Sequence, residues 1–225
     1  MIEFRDVCLT LNERPVLSDI NAELAGPRVG IIGANGSGKT SLLRLINGLA
    51  SPTSGSVHVL GLQPDRNGRA VRKKVSFLFS NPDAQIVMPT VAEDIAFSLR
   101  RHSLSDPERD LRVNQALHQV GLTEHHDHPA HALSSGQKQL LALASIIVTE
   151  PQILLCDEPT TLLDRRNTRE VINVLNDLPI TVVMSTHDLD LIRDWDRVLV
   201  VDGGRIIADT TGIEAIATYL KLVDS

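Results

Sequence analysis

Residues Gly33 to Thr40 read GANGSGKT, a glycine-rich run that ends in a cation and a hydroxyl. Glycines let a backbone curl until several N–H groups face one point, which is what a phosphate needs. Lys39 supplies a positive charge for the outer phosphates of a nucleotide, and the Thr40 hydroxyl is a ligand suited to Mg²⁺. The apolar run RVGII precedes this loop and a helical pattern follows it, so a phosphate there also meets the positive end of a helix.

Two further stretches carry groups that fit the same chemistry. In ILLCDEPT, residues 153–160, four apolar residues set Asp157 at the end of a buried strand. There it can hold Mg²⁺ through water, and Glu158 beyond it can orient an attacking water. In LSSGQ, residues 133–137, Ser134 and Gln137 have the spacing of a capping box, which by itself accounts for a helix start. A serine-glycine helix N-terminus is also an anion site without a lysine of its own. Such a site suits a phosphate that another chain is holding.

These groups need elements to aim them. Alternation in IEFRDVCLTL and the turn LNERP predict an N-terminal pair of strands. RVGII reads as a buried strand, SLLRLINGL as a helix ending at Asn47-Gly48, and VHVLG as another strand. After VSFLF the texture turns helical, through TVAEDIAFSLRR, LRVNQALHQVGL and SSGQKQLLALASIIVTE. Alternation then resumes, with a helix over 166–178, the strand ITVVMSTHD, a helix over 189–194, and the strands RVLVVDGG and RIIAD. This order predicts an α/β core over 1–79 and 147–225, with a helical lobe inserted at about 80–146.

Composition narrows the classes. With 225 residues, 42% of them hydrophobic, the chain can bury a sizeable core, and 3% aromatics make that core aliphatic. A net charge of −6 argues against nucleic acid as a partner. Cys8 and Cys156 lie in apolar stretches and read as small buried hydrophobes of a reducing compartment. The start MIEFRDVCLT lacks an apolar signal core, and no run approaches the ~20 residues of a membrane span. In HHDHPAH, His125, Asp127 and His131 are metal-ligating types, but their spacing is not preorganised and an exposed polar loop is the simpler reading.

In order, these motifs resemble those of the ATP-binding-cassette (ABC) ATPases: a P-loop at 33–40, the LSSGQ signature, LLCDEPT as Walker B, TLLD (161–164) as D-loop, and a switch histidine in STHD. The likeness spans nearly the whole chain. It implies the P-loop NTPase fold of α/β class, a RecA-like core with an N-terminal antiparallel β subdomain and an inserted α-helical signature subdomain. It also implies hydrolysis of ATP with Mg²⁺. Gly33, Asn35, Gly36, Ser37, Gly38, Lys39, Thr40 and Ser41 would bind the nucleotide, with Thr40 and Asp157 at the metal. Glu158 would be the catalytic carboxylate, and His187 would hydrogen-bond the γ-phosphate. In that family two nucleotide domains pair head to tail. Ser135, Gly136 and Gln137 would therefore meet the ATP held by a second copy or a paralogue, and Asp164 would contact the opposite subunit.

Two positions depart from the family's pattern. Leu11 stands where an aromatic commonly stacks on adenine, and Ser80 stands at the Q-loop glutamine that approaches Mg²⁺ and the attacking water. Ser80 is either a catalytic-loop residue acting through a bridging water or a turn residue before Asn81-Pro82.

The run NPDAQIVMPTVAEDIAF resembles the segment after the Q-loop in energy-coupling-factor (ECF) importers of vitamins and metal ions. By that likeness Gln85, Ile86, Val87 and Met88 would dock on a transmembrane coupling subunit, Met88 being suited to a partner that shifts. Packing of these residues into the helical lobe is the alternative. With little chain left for a C-terminal dimerising extension, the likeness is greatest to the ATPase of biotin importers. The expected setting is peripheral, on the cytoplasmic face of the cell membrane, with a separate substrate-binding membrane subunit in the complex. ATPases of cobalt, nickel or other vitamin importers, and a soluble ATP-driven clamp, are the alternatives.

Overall fold

The computed structural model describes residues 1–224, in two compact units. The first contains Met1–Ser76, Gln152–Glu158 and the chain from Pro179 onward; the second contains Phe77–Pro151 and Pro159–Leu178. The strands are β1 (Ile2–Leu11), β2 (Arg14–Leu24), β3 (Arg28–Ile32), β4 (Ser54–Val59), β5 (Val75–Leu78), β6 (Ile153–Asp157), β7 (Thr181–Ser185), β8 (Val198–Asp202) and β9 (Arg205–Thr210). The helices are α1 (Lys39–Ile46), α2 (Pro64–Val71), α3 (Val91–Ser98), α4 (Asp106–Gln119), α5 (Ser135–Ile147), α6 (Arg165–Asp177) and α7 (Gly212–Val223).

In the first unit β2, β1 and β4 form an antiparallel sheet. Its hairpin turns at Asn12 and Glu13, both with positive φ, the geometry that matches the twist of a two-residue turn. Ile2, Phe4, Val7 and Leu9 alternate inward along β1 and are at most 3% exposed. The second sheet has the order β5-β6-β7-β3-β8-β9. Within it β6, β7, β3 and β8 are parallel neighbours, and β9 runs antiparallel on β8. β3 and β6 are near-continuous apolar runs because both faces of a parallel sheet are covered. The register sets Asp157 opposite Ser185 and Ser185 opposite Ile31. The C-terminal ends of three adjacent strands thus meet, where α/β sheets place their ligands.

The second unit is helical, and its helices start on explicit caps. Thr90 with Glu93, Ser105 with Glu108, and Ser134 with Gln137 form reciprocal capping boxes at α3, α4 and α5, and Asp164 caps α6. The unit begins at Phe77 and takes in α6, so it is wider than the lobe expected over 80–146.

Several elements differ from the sequence expectation. α4 starts at Asp106, ahead of the apolar periodicity, because Ser105 and Glu108 supply a cap there. Residues Leu189–Ile192 make a short 3₁₀ turn instead of a helix over 189–194. α2 was not expected, since its sequence PDRNGRAV is polar, holds a glycine and kinks at Asn67. Cys156 is buried, and that burial pushes its thiol pKa up. Cys8 is only half-buried and accepts the Asp19 N–H at 3.4 Å. Both are free thiols. Among the described residues no helix is long and apolar enough to cross a membrane.

Candidate active site

The loop after β3 is shaped by what a side chain would hit. A β-carbon at Gly33 would lie 2.1 Å from the Val201 carbonyl oxygen, and one at Gly38 would lie 2.6 Å from a Leu17 methyl. Gly36 and Gly38 both have positive φ. Ala34, Asn35 and Gly36 are exposed at the crest, whereas Ser37, Gly38 and Lys39 are buried below it. Lys39 is 7% exposed, and its ammonium donates to the carbonyls of Gly33 at 2.8 Å and Ala34 at 3.1 Å. Burial pushes its pKa below the ordinary lysine value, and the charges of Glu158 and Asp157 pull the other way. The Ser37 hydroxyl is buried without a protein partner.

Below the loop, the carboxylate of Asp157 gathers hydroxyls from two elements. Its Oδ1 accepts from Thr40 at 2.9 Å and from Ser185 at 2.7 Å. Ser185 was missed from sequence, although its place at the end of an apolar strand just before His187 was the available signal. Glu158 has φ of 52°, a left-handed conformation that ordinary residues adopt at a cost. The next residues thereby leave the strand direction, while the Glu158 N–H stays on the Ser185 carbonyl at 3.0 Å. Its Oε2 accepts from Nδ1 of His187 at 2.5 Å and from the His187 main-chain N–H at 3.4 Å. The two residues expected to act on the water and the γ-phosphate are therefore hydrogen-bonded to each other.

This donor set fits Mg²⁺ with a polyphosphate. Hydroxyl and carboxylate oxygens are the hard ligands that Mg²⁺ prefers, and it takes few from protein when phosphates supply the rest. The buried, partly desolvated cation of Lys39 and the unpartnered Ser37 hydroxyl fit the anion. Thr40 and Asp157, joined by a 2.9 Å hydrogen bond, are the residues that could hold the metal.

In the second unit the signature forms the first turn of α5. Ser134 accepts from the Gln137 N–H at 3.3 Å, and the Gln137 side chain accepts from the Ser134 N–H at 3.0 Å. Ser135 is exposed and Gly136 buried. The Gln137 amide nitrogen also lies 2.9 Å from Nε2 of His125, whose Nδ1 is 2.9 Å from that of His128. Gln137 Oε1 already accepts from Ser134, so its NH₂ donates to His125 and fixes that ring's tautomer. His126 pairs with Asp127, and among the described residues no three metal-ligating side chains converge. Asp164 accepts from both the main chain and the side chain of Asn167.

Ser80 is half-buried, and the cap of the following turn is Asn81, which accepts from the Asp83 N–H at 3.1 Å. Gln85 turns back on β5, accepting from the Phe79 N–H at 3.3 Å and donating to the Phe77 carbonyl at 3.2 Å. Ile86, Val87, Met88 and Pro89 line a groove of about 330 Å³ whose rim carries the Asp83–Lys138 ion pair. Val87 is 61% exposed. Leu11 is 45% exposed at the end of β1.

Comparison with known proteins agrees with this geometry. Residues 17–161 match the family model described as ABC transporter. The biotin transport ATP-binding protein BioM of Rhizobium etli is 42% identical over 221 residues, 98% of each chain. The energy-coupling factor transporter ATP-binding protein EcfA1 of Caldanaerobacter subterraneus is 41% identical over 204 residues, 88% of this chain and 74% of its own. More similar relatives carry only the name of an ABC transporter ATP-binding protein. Among solved structures, cbiO1 of Clostridium perfringens, part of the ABC transporter complex cbiONQ, superposes with a TM-score of 0.88 at 30% identity, over 99% of this chain and 94% of its own. A cassette of the same fold has been solved as a dimer. The chain belongs to the ABC transporter family and is an ATPase of its energy-coupling-factor type.

Proposed function

We propose that this chain is the Mg-ATP-hydrolysing subunit of a biotin importer, working as a head-to-tail pair on the cytoplasmic face of the membrane. The observation that carries the ATP chemistry is the cluster of Lys39, Thr40, Asp157, Glu158, Ser185 and His187 at adjoining strand ends. The loop N–H groups and Lys39 bind the phosphates. Thr40 and Asp157 would hold Mg²⁺, which would supply positive charge beside the outer phosphates. Glu158 orients the attacking water, and the hydrogen bond from His187 holds the Glu158 carboxylate in place. Ser135 and Gly136, on a helix start with no cation of its own, close over the ATP of the other copy.

The membrane partner is a transmembrane coupling subunit, and the groove at Ile86, Val87 and Met88 receives one of its cytoplasmic helices. Gln85 braces the groove from behind by its bonds to Phe77 in β5 and to Phe79 just after it. Biotin as the cargo is supported by the likeness to the Rhizobium etli protein. An importer of cobalt, nickel or another vitamin is the second reading, because the energy-coupling-factor relatives name no cargo. The test is purification of the tagged chain from solubilised membranes, followed by reconstitution of the recovered complex in vesicles. ATP-dependent uptake of labelled biotin is the expected result. Recovery of soluble proteins alone defeats the importer, and uptake of cobalt or nickel without biotin moves the assignment to the second reading.

A further inference from the structure

We propose that Asn167 is a positioning residue that ties the signature glycine, Gly136, to the D-loop carboxylate, Asp164, so that the two move as one. The proposal rests on the head-to-tail reading, in which both residues face the other subunit.

Asn167 stands in the first turn of α6 and is half-buried. Its main-chain N–H donates to Oδ1 of Asp164 at 2.8 Å, and its side-chain NH₂ donates to Oδ2 at 3.0 Å. One residue thus engages both carboxylate oxygens. On its other side lies Gly136, where a β-carbon would come within 2.3 Å of Asn167 Cγ and Oδ1, and within 2.7 Å of its Cβ. The amide cannot swing away from such a group without releasing Asp164, and the Asn167 Cβ is fixed to the helix. Gly136 lies within α5 and outside the left-handed region, so close approach, not a turn, requires glycine there.

The starts of α5 and α6 therefore meet at the Asn167 amide. Capping of α6 needs only the bond from Asp164 to the Asn167 main-chain N–H. The side-chain bond and the glycine gap are additional to the cap, and together they form a mechanical link. A phosphate that displaces Gly136 presses on the Asn167 amide and shifts Asp164, and a subunit contact at Asp164 is felt at Gly136.

The test uses the purified chain. Asn167→Asp keeps the size of the side chain and the cap but sets a carboxylate against that of Asp164. It is expected to lower kcat for ATP about tenfold, the scale of a small misplacement near a reacting group. Equilibrium ATP binding and the unfolding temperature should stay as in the parent. The exchanged pair Asp164→Asn/Asn167→Asp restores one donor facing one acceptor and should recover most of kcat. Wild-type kcat in Asn167→Asp, or a loss explained by weaker ATP binding or a lowered unfolding temperature, overturns the link. ATP-driven dimerisation of Glu158→Gln, followed by size-exclusion, separates the two ideas. If that variant stays monomeric with ATP, the head-to-tail reading fails and takes the link with it. If it dimerises while Asn167→Asp turns over normally, only the link fails.

Discussion

Lys39 is a buried cation whose ammonium donates to two carbonyls of its own loop. Its folded pKa is lowered, chiefly by desolvation, so its charged form is disfavoured in the folded protein without nucleotide. That penalty is present at neutral pH and fades as pH rises from the lowered pKa toward the unfolded value. Phosphates reverse the balance, because they stabilise the ammonium. ATP affinity should therefore weaken as pH climbs through the lowered Lys39 value, an effect that equilibrium titration from neutral pH up to the ordinary lysine value will read. Lys39→Met should bind weakly and with a flatter pH profile. Equal pH dependence in the two proteins would show that Lys39 is not the titrating group.

Between residues, elements are tied by buried side chains that motif reading does not notice. Asp94 is 3% exposed, and its Oδ1 accepts the N–H groups of Val87 at 2.8 Å and Met88 at 3.0 Å. Its Oδ2 accepts from Ser145 on α5 at 2.9 Å. Gln139, also on α5, donates to the Phe79 carbonyl at 3.1 Å, and Lys138 reaches Asp83 at 2.8 Å. The helix that carries the signature thus holds Phe79 and Asp83, just before the segment proposed to dock, and reaches Val87 and Met88 through Asp94. Asp94→Ala leaves two half-buried N–H groups and a half-buried hydroxyl without their carboxylate partner. It should destabilise the chain by about 2–4 kcal/mol, read as a shift in denaturant midpoint at unchanged slope. Asp94→Asn should fall between, since its NH₂ faces at least one donor.

At the scale of the molecule, the chain presents an apolar groove where a monomer would normally cover it. Val87 is 61% exposed, and its side chain stays outside the core that Val91 and Ile95 enter. Val87→Glu should leave folding and nucleotide binding of the isolated chain within error. It should abolish recovery of the membrane subunits when the tagged chain is purified from solubilised membranes. Normal recovery with glutamate in place would remove the groove from the docking reading.

The phosphate loop, the acidic strand end and the cap of α5 were legible in sequence because each is local. Gly33 to Thr40 is one turn of chain, Asp157 and Glu158 follow their own apolar strand, and Ser134 meets Gln137 one helical turn away. The fold class followed from the same local periods, read in order. Ser185, Asn167, Asp94 and His125 were not legible, because each acts on a residue distant in sequence. Ser185 reaches Asp157 only through the parallel register of β6 and β7. Asn167 reaches Gly136 only where two helix starts pack. Gln85, which read as surface, is turned inward by backbone groups left open at the end of β5. The sequence by itself determined which groups can hold and attack a phosphate, since that depends on residue type and short spacing. Only the tertiary structure decided which side chains keep those groups in position, since that depends on contacts made after the chain has folded.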